Sequence, residues 1–357
     1  MIDKNYTIKE NRRILNIFLY PSTLTYTTAT YPLCILSEAA KNNKWFYSNY
    51  VNISSAINPN NDYRVNFLSG DSFGGVEPLV YKKVLLSDEK NIFCQLSNLL
   101  YDGWYVFTFL DFAVLSLTPH KVHNILLYGI DNNSHDVYGL CYINGKLGKT
   151  TIDFDDFLKA YNSTNNTRKS LTRCMKPRNK EIGFSYEDFE TQLFDYFYSD
   201  FSFNKIDRYY CNIDKIRTDE DELMEVFIVN SRKNGGYYYG FDCYESLKQY
   251  LKLDGAPEHI DIRPYRLIWE HKCIMKDRFV FFQKERIYPF DMSYYIKEMS
   301  KIEQSTRILF NLILKARIKK TFSIDHITDI IDTIKAGEQA LLEKFISEIK
   351  TLKQYDS

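Results

Sequence analysis

His123 opens an apolar run, Ile125-Leu126-Leu127-Tyr128, that closes in Gly129-Ile130-Asp131-Asn132-Asn133, and a second strand follows from Asp136 to Ile143. An imidazole at the start of such a hairpin is a candidate general base, because its ordinary pKa lies near neutrality. A base of this kind needs a nucleophile, and the N-terminus of a helix favours thiolate through its dipole and orphan amides. Cys34 is the cysteine near a predicted helix start, but its neighbours at i+3, i+4 and i+7 are Ser37, Glu38 and Lys41, a polar face. Ala29 has Pro32, Leu33 and Leu36 at those offsets and Ala40 at i+11, an apolar stripe suited to packing. The spacing points to Ala29 as the nucleophile position, and alanine cannot attack. Three readings stay open: a natural cysteine exchanged for alanine, a natural pseudoenzyme, or a nucleophilic Cys34 in another register.

The base also needs a partner that orients its second ring nitrogen. Asp111 is the best candidate, one carboxylate inside the apolar stretch Trp104 to Leu115, just ahead of the histidine strand. The competing reading makes it a strand-end residue bonded to backbone amides. Asp136 is a weaker candidate, and His120, beside Pro119, ranks below His123. Trp269-Glu270-His271-Lys272-Cys273-Ile274-Met275 lacks a second histidine at i+4 and reads as a helix face with a packed histidine. Gly235-Gly236 lacks the lysine of a phosphate loop and reads as a hairpin turn.

These residues need elements to position them. Ile14 to Tyr20 reads as a strand or lead-in, and a helix follows through Leu33, Leu36, Ala39 and Ala40, with Pro32 in its first turn. Trp45 to Ile53 is aromatic and β-prone, Ser87 to Tyr101 helical, and Trp104 to Leu115 a strand interrupted by Asp111. Asp153, Asp155 and Asp156 cap a short helix ending near Tyr161. Asn162 to Arg178 is polar and reads as a boundary. Beyond it, helices are predicted over Tyr186 to Tyr198, Asp242 to Leu251, Leu267 to Phe282, Met292 to Ala316 and Ile324 to Leu352. The division is therefore an N-terminal domain over 1–165 and a mostly helical domain over 180–357, an α+β chain.

Lys+Arg and Asp+Glu both number 46 in 357 residues, so the chain carries no electrostatic footprint for nucleic acid or an anionic membrane. Apolar runs fall short of the ~20 residues a membrane helix needs. Seven scattered cysteines, without zinc-ligand spacing, fit reduced thiols in a cytoplasm and no structural metal. Tyr and Phe number 29 and 25, which suits either an aromatic core or a Tyr-lined groove for an extended substrate.

His123-Asn-Ile-Leu-Leu-Tyr-Gly-Ile-Asp131 resembles the His-x-x-Leu-Ile-Tyr-Gly-Tyr-Asp segment of papain-like, C39-type proteins of bacterial natural-product clusters. Gly103-Trp104-Tyr105-Val106, Asp155 to Tyr161, and Asp261 to Arg278 are also similar to that group. The resemblance implies a papain-like fold and, as in the butirosin-pathway acyltransferases and the amide-forming enzyme of closthioamide assembly, acyl transfer. The acyl group would pass from the phosphopantetheine thioester of an acyl or peptidyl carrier protein to a cysteine at position 29, and then to an amine, with no cofactor. It implies His123 as base and Thr23, where papain-like enzymes place a glutamine, as oxyanion donor, although Ser22 and Thr25 compete. The third triad member of the C39 pattern, an Asp or Asn, falls here on Gly139. The alternatives are a C39-like cysteine peptidase and a non-catalytic protein that binds a peptide or carrier domain.

Overall fold

The computed structural model describes residues 11–36, 44–57, 63–68, 78–86, 91–117, 122–179, 182–200, 237–253, 259–321 and 323–355. Its strands are β1 (Arg12–Ile14), β2 (Ile53–Ile57), β3 (Tyr63–Phe67), β4 (Leu79–Lys83), β5 (Tyr105–Asp111), β6 (Val122–Asp131), β7 (Asp136–Ile143), β8 (Lys146–Asp153), β9 (Arg173–Pro177) and β10 (Tyr237–Tyr239). Its helices are α1 (Thr27–Leu36), α2 (Lys44–Ser48), α3 (Ile92–Tyr101), α4 (Phe154–Asn162), α5 (Asn166–Lys169), α6 (Tyr186–Phe197), α7 (Asp242–Leu253), α8 (Arg263–Glu285), α9 (Ser293–Lys319) and α10 (Ile324–Tyr355). The fold class is α+β. Among the described residues no helix is long and apolar enough to cross a membrane.

The chain divides into two units. In the first, an antiparallel sheet runs in the order β4-β9-β5-β6-β7-β8, with β1 also paired to β6. The hairpin of β6 and β7 forms as the alternation predicts, Ile130 opposite Val137 and Asp131 opposite Asp136. Asp153 caps α4 by accepting from the amides of Asp155 and Asp156, as its carboxylate spacing predicts. Three expectations need correction. The polar stretch after Asn162 holds β9, which lies between β4 and β5 with Cys174 and Met175 fully buried. It is a strand inside the sheet, and its short length and basic flanks hide it from a periodicity reading. Helix α1 starts at Thr27, so Pro32 lies inside it, where it removes one backbone bond. Residues 112–115 do not continue β5: Asp111 accepts from the Ala113 amide, and Val114 bonds back to the Asp111 carbonyl in a turn.

The second unit takes in 44–68 as well as the C-terminal half. The N-terminal domain read from sequence as 1–165 is therefore interrupted, and the bonds that residues of α8 make to 44–51 are the reason. The Arg278 guanidinium donates to the carbonyls of Tyr47, Asn49 and Tyr50 at 2.8, 2.6 and 3.3 Å. His271 Nε2 lies 2.7 Å from the Val51 carbonyl, and Lys44 pairs with Glu285 at 2.9 Å. These bonds hold Trp45 to Ser48 as helix α2, where the sequence pattern favours strand. The small sheet runs β10-β2-β3. Tyr63 of β3 stacks on Tyr250 of α7 at 4.8 Å, and its hydroxyl lies 2.8 Å from that of Ser246. At the turn into α7, Gly240 has φ +51°, and a Cβ there would lie 2.0 Å from the Tyr196 carbonyl oxygen. Much of the aromatic content fills the core: Phe345 of α10 is surrounded by the rings of Phe189, Phe279, Phe282, Tyr288, Phe290 and Tyr295.

Candidate functional site

Helix α1 lies against the sheet of the first unit through its first turns. Phe107 pairs with Leu126 and Phe109 with Asn124, so these side chains share one face. Tyr31 meets Phe107 edge to face on that side, ring centroids 6.0 Å apart. The Asn124 amide donates to Thr27 Oγ1 at 2.9 Å, and the Tyr31 hydroxyl donates to the Asn124 carbonyl and side-chain oxygens, each at 3.3 Å. Thr30 Oγ1 donates to the Thr23 carbonyl at 3.2 Å and lies 3.4 Å from the Tyr142 hydroxyl. The side chains that engage the sheet are thus Thr27, Thr30 and Tyr31, at i, i+3 and i+4.

That register differs from the sequence expectation. Ala29 is the third residue of α1 and is buried, but the bonds to β6 come from Thr27 and Tyr31. Cys34, seven residues after Thr27, is buried rather than solvent-facing. Its expected polar neighbours, Ser37, Glu38 and Lys41, lie outside the described residues, as do Ala40, His120 and the Gly235-Gly236 turn. Burial pushes the Cys34 thiol up to about 12, so it is protonated at neutral pH and no ready nucleophile. Cys141, Cys174 and Cys243 are pushed up to about 12 by the same cause.

His123 opens β6 as expected, and alternation starts its side chain on the face opposite Asn124. There the Phe112 ring lies 5.3 Å from the imidazole. His123 Nδ1 lies 3.0 Å from the Asn124 carbonyl oxygen, the same atom that accepts from Tyr31. The histidine and α1 meet at Asn124.

The expected carboxylate partner is not there. Asp111 Oδ1 accepts from the Ala113 amide at 3.0 Å and Oδ2 from the Ser163 hydroxyl at 2.8 Å, so it closes the end of β5. Asp136 pairs with Asp131 at the far end of β6 from His123. Gly139, where the C39 pattern would put a third triad member, pairs with Leu127 and so shares the face of His123 and Ile125. A Cβ at 139 would lie 2.3 Å from Cδ1 of Ile125. The isoleucine fills the space an orienting side chain would need. Gly139→Ala should therefore cost about 1–3 kcal/mol through overpacking, read as a shift in the urea midpoint. A neutral outcome would mean that Ile125 has room to move aside.

Thr23 is buried, and its carbonyl is engaged by Thr30. Among the described residues no cluster of His, Cys, Asp and Glu is suited to hold a metal. Sequence reading missed Asn124 and Thr27. An amide beside the histidine and a threonine, threonine, tyrosine pattern at helical spacing were the available signals. Asn124, Thr27 and Tyr142 are half-buried. The side chains of this patch, Thr27, Thr30, Tyr31, Asn124 and Tyr142, offer neutral donors and acceptors that suit amides and carbonyls. Comparison with protein-family models finds no match, and neither does comparison with curated proteins.

Proposed function

We propose that the chain is a non-catalytic, papain-like binding protein that takes an amide-bearing chain at the Asn124 patch. The ligand class is a peptide or the pantetheine arm of a carrier protein, whose amides match uncharged hydrogen-bonding groups. One observation carries this reading: where a nucleophile and its base would meet, the α1–β6 contact is a threonine hydroxyl bonded to an asparagine amide. A threonine attacks only when a base takes its proton, and the Asn124 nitrogen is a donor. Ala29 and the protonated Cys34 supply no thiolate.

The test is native mass spectrometry with an acyl-pantetheine thioester and with a short uncharged peptide. At least one should form a non-covalent complex, and no acyl mass should remain on the protein after denaturation. Asn124→Ala should weaken that complex about ten-fold, the equivalent of ~1.4 kcal/mol. A persistent acyl adduct, thioester consumption above the blank, peptide cleavage, or no complex with either ligand would each overturn it.

A specific feature supports a second reading, carrier-dependent acyl transfer. His123 Nδ1 and the Tyr31 hydroxyl of α1 both lie within hydrogen-bond distance of the Asn124 carbonyl oxygen, so the imidazole and α1 share one backbone group. A thiolate placed at the start of α1 would attack the thioester carbonyl and release the pantetheine thiol. An amine would then displace the cysteine thiolate and form the amide.

A further inference from the structure

Within the second unit a cavity of about 520 Å³ lies between α6, the turn after α8 and the last turns of α10. Small-molecule sites occupy roughly 300–1,000 Å³, so the space suits a ligand of a few to some twenty heavy atoms by volume. Three aromatic rings, Tyr186, Phe194 and Tyr288, contribute to its walls beside aliphatic Ile287, Ile349 and Leu352. Tyr186 meets Tyr288 edge to face at 5.8 Å, and the Tyr186 hydroxyl donates to the Ile287 carbonyl at 2.9 Å, which fixes the ring. Phe194 of α6 lines the same space.

Among the polar groups that line this cavity, Glu190 is only 4% exposed. Its Oε1 accepts from the Tyr288 hydroxyl at 3.2 Å, and its Oε2 receives the ammonium of Lys353. A buried carboxylate needs a counter-charge. The one seen here sits on Lys353, whose side chain is 63% exposed. An incoming ammonium would take the place of that of Lys353, so Glu190 keeps a counter-charge when the lysine is released to water. Ring faces beside a carboxylate attract ammonium further through their quadrupoles.

We propose that this cavity binds a primary amine with an aromatic or short alkyl body, its ammonium replacing that of Lys353 on Glu190. Lys353 then acts as an internal competitor that holds the carboxylate when no ligand is present. The site lies wholly within the second unit and does not depend on the Asn124 patch.

Benzylamine and benzyl alcohol are the probes, titrated calorimetrically into the full chain. Benzylamine should bind saturably and benzyl alcohol should not. Lys353→Met should tighten benzylamine about ten-fold by removing the competitor, because apparent affinity scales with the fraction of open site. Glu190→Gln should abolish binding in either background. No binding to Lys353→Met, undiminished binding with Glu190→Gln, or equal binding of the alcohol would overturn the proposal. Should Lys353→Met lose its native circular-dichroism spectrum, the wild-type comparison of amine against alcohol decides alone, and no difference between them overturns it.

Discussion

Glu338→Ala should destabilise the second unit by about 3–5 kcal/mol, the cost of leaving a buried cation without its partner. Lys272 and Glu338 are both fully buried and paired at 2.6 Å. The lysine also donates to the Tyr196 hydroxyl at 2.7 Å and to His271 Nδ1 at 2.9 Å, while Tyr196 and Tyr244 donate to Glu338 Oε2 at 3.0 and 2.7 Å. Burial and the neighbouring ammonium push His271 well below its ordinary value, so it stays neutral and accepts from the lysine. Every member is satisfied, which makes the loss of one costly for the others. Trp104 lies in the first unit, and Trp45 and Trp269 lie in the second. In a Trp104→Phe background, tryptophan fluorescence through a urea titration follows the second unit alone. Lys272→Met combined with Glu338→Leu should recover to within ~1 kcal/mol of the parent, since apolar groups of like volume replace a buried pair at little cost. A loss below ~1 kcal/mol for Glu338→Ala would show that water reaches Lys272.

The same cluster shows what a sequence can and cannot disclose. Helices α6 to α10 are legible because apolar residues recur at 3.6-residue spacing over long spans, and packing reinforces that pattern. The histidine of Trp269 to Met275 reads correctly as a packed residue. Nothing in the local sequence says that its lysine finds Glu338, 66 positions away. Segment 45–51 is read wrongly for a related reason. Its aromatic residues favour strand, but Arg278 and His271 claim its carbonyls from far along the chain. In the first unit the β6–β7 hairpin is legible from alternation and its Asn-rich turn. Strand β9 is not, since five residues with two basic ones resemble a linker until their neighbours β4 and β5 are known. The candidate site is partly legible: His123 lies in a strand and α1 is a helix, but the helix begins ahead of the expected Pro32 turn and its phase against the sheet differs by two residues. With Thr27, Thr30 and Tyr31 facing the sheet, the apolar stripe through Ala29 marks packing rather than chemistry.

That phase difference gives a sharp outcome. Thr27→Cys should react with iodoacetamide at pH 7 at least on the order of ten-fold faster than Ala29→Cys, the effect of about one pKa unit. Position 27 is half-buried and opens α1, where orphan amides and the dipole favour an anion. The Asn124 amide, 2.9 Å from Thr27 Oγ1, would donate to a thiolate in that place as it now donates to the hydroxyl. A cysteine at 29 would be nearly enclosed, as Cys34 is, and burial raises a thiol. The measurement is the alkylation rate by intact mass, with parent protein supplying the background of native cysteines. Each variant is then given an acyl-pantetheine thioester and an amine. If the acyl-transfer reading holds, Thr27→Cys gains the acyl mass and passes it to the amine, and adding His123→Ala slows both steps. Faster alkylation and acylation at Ala29→Cys would restore position 29 as the nucleophile site and overturn the register drawn from Thr27 and Asn124. Alkylation of Thr27→Cys without acyl transfer would leave a helix start that accepts an anion but lacks a competent base, as the binding-protein reading requires.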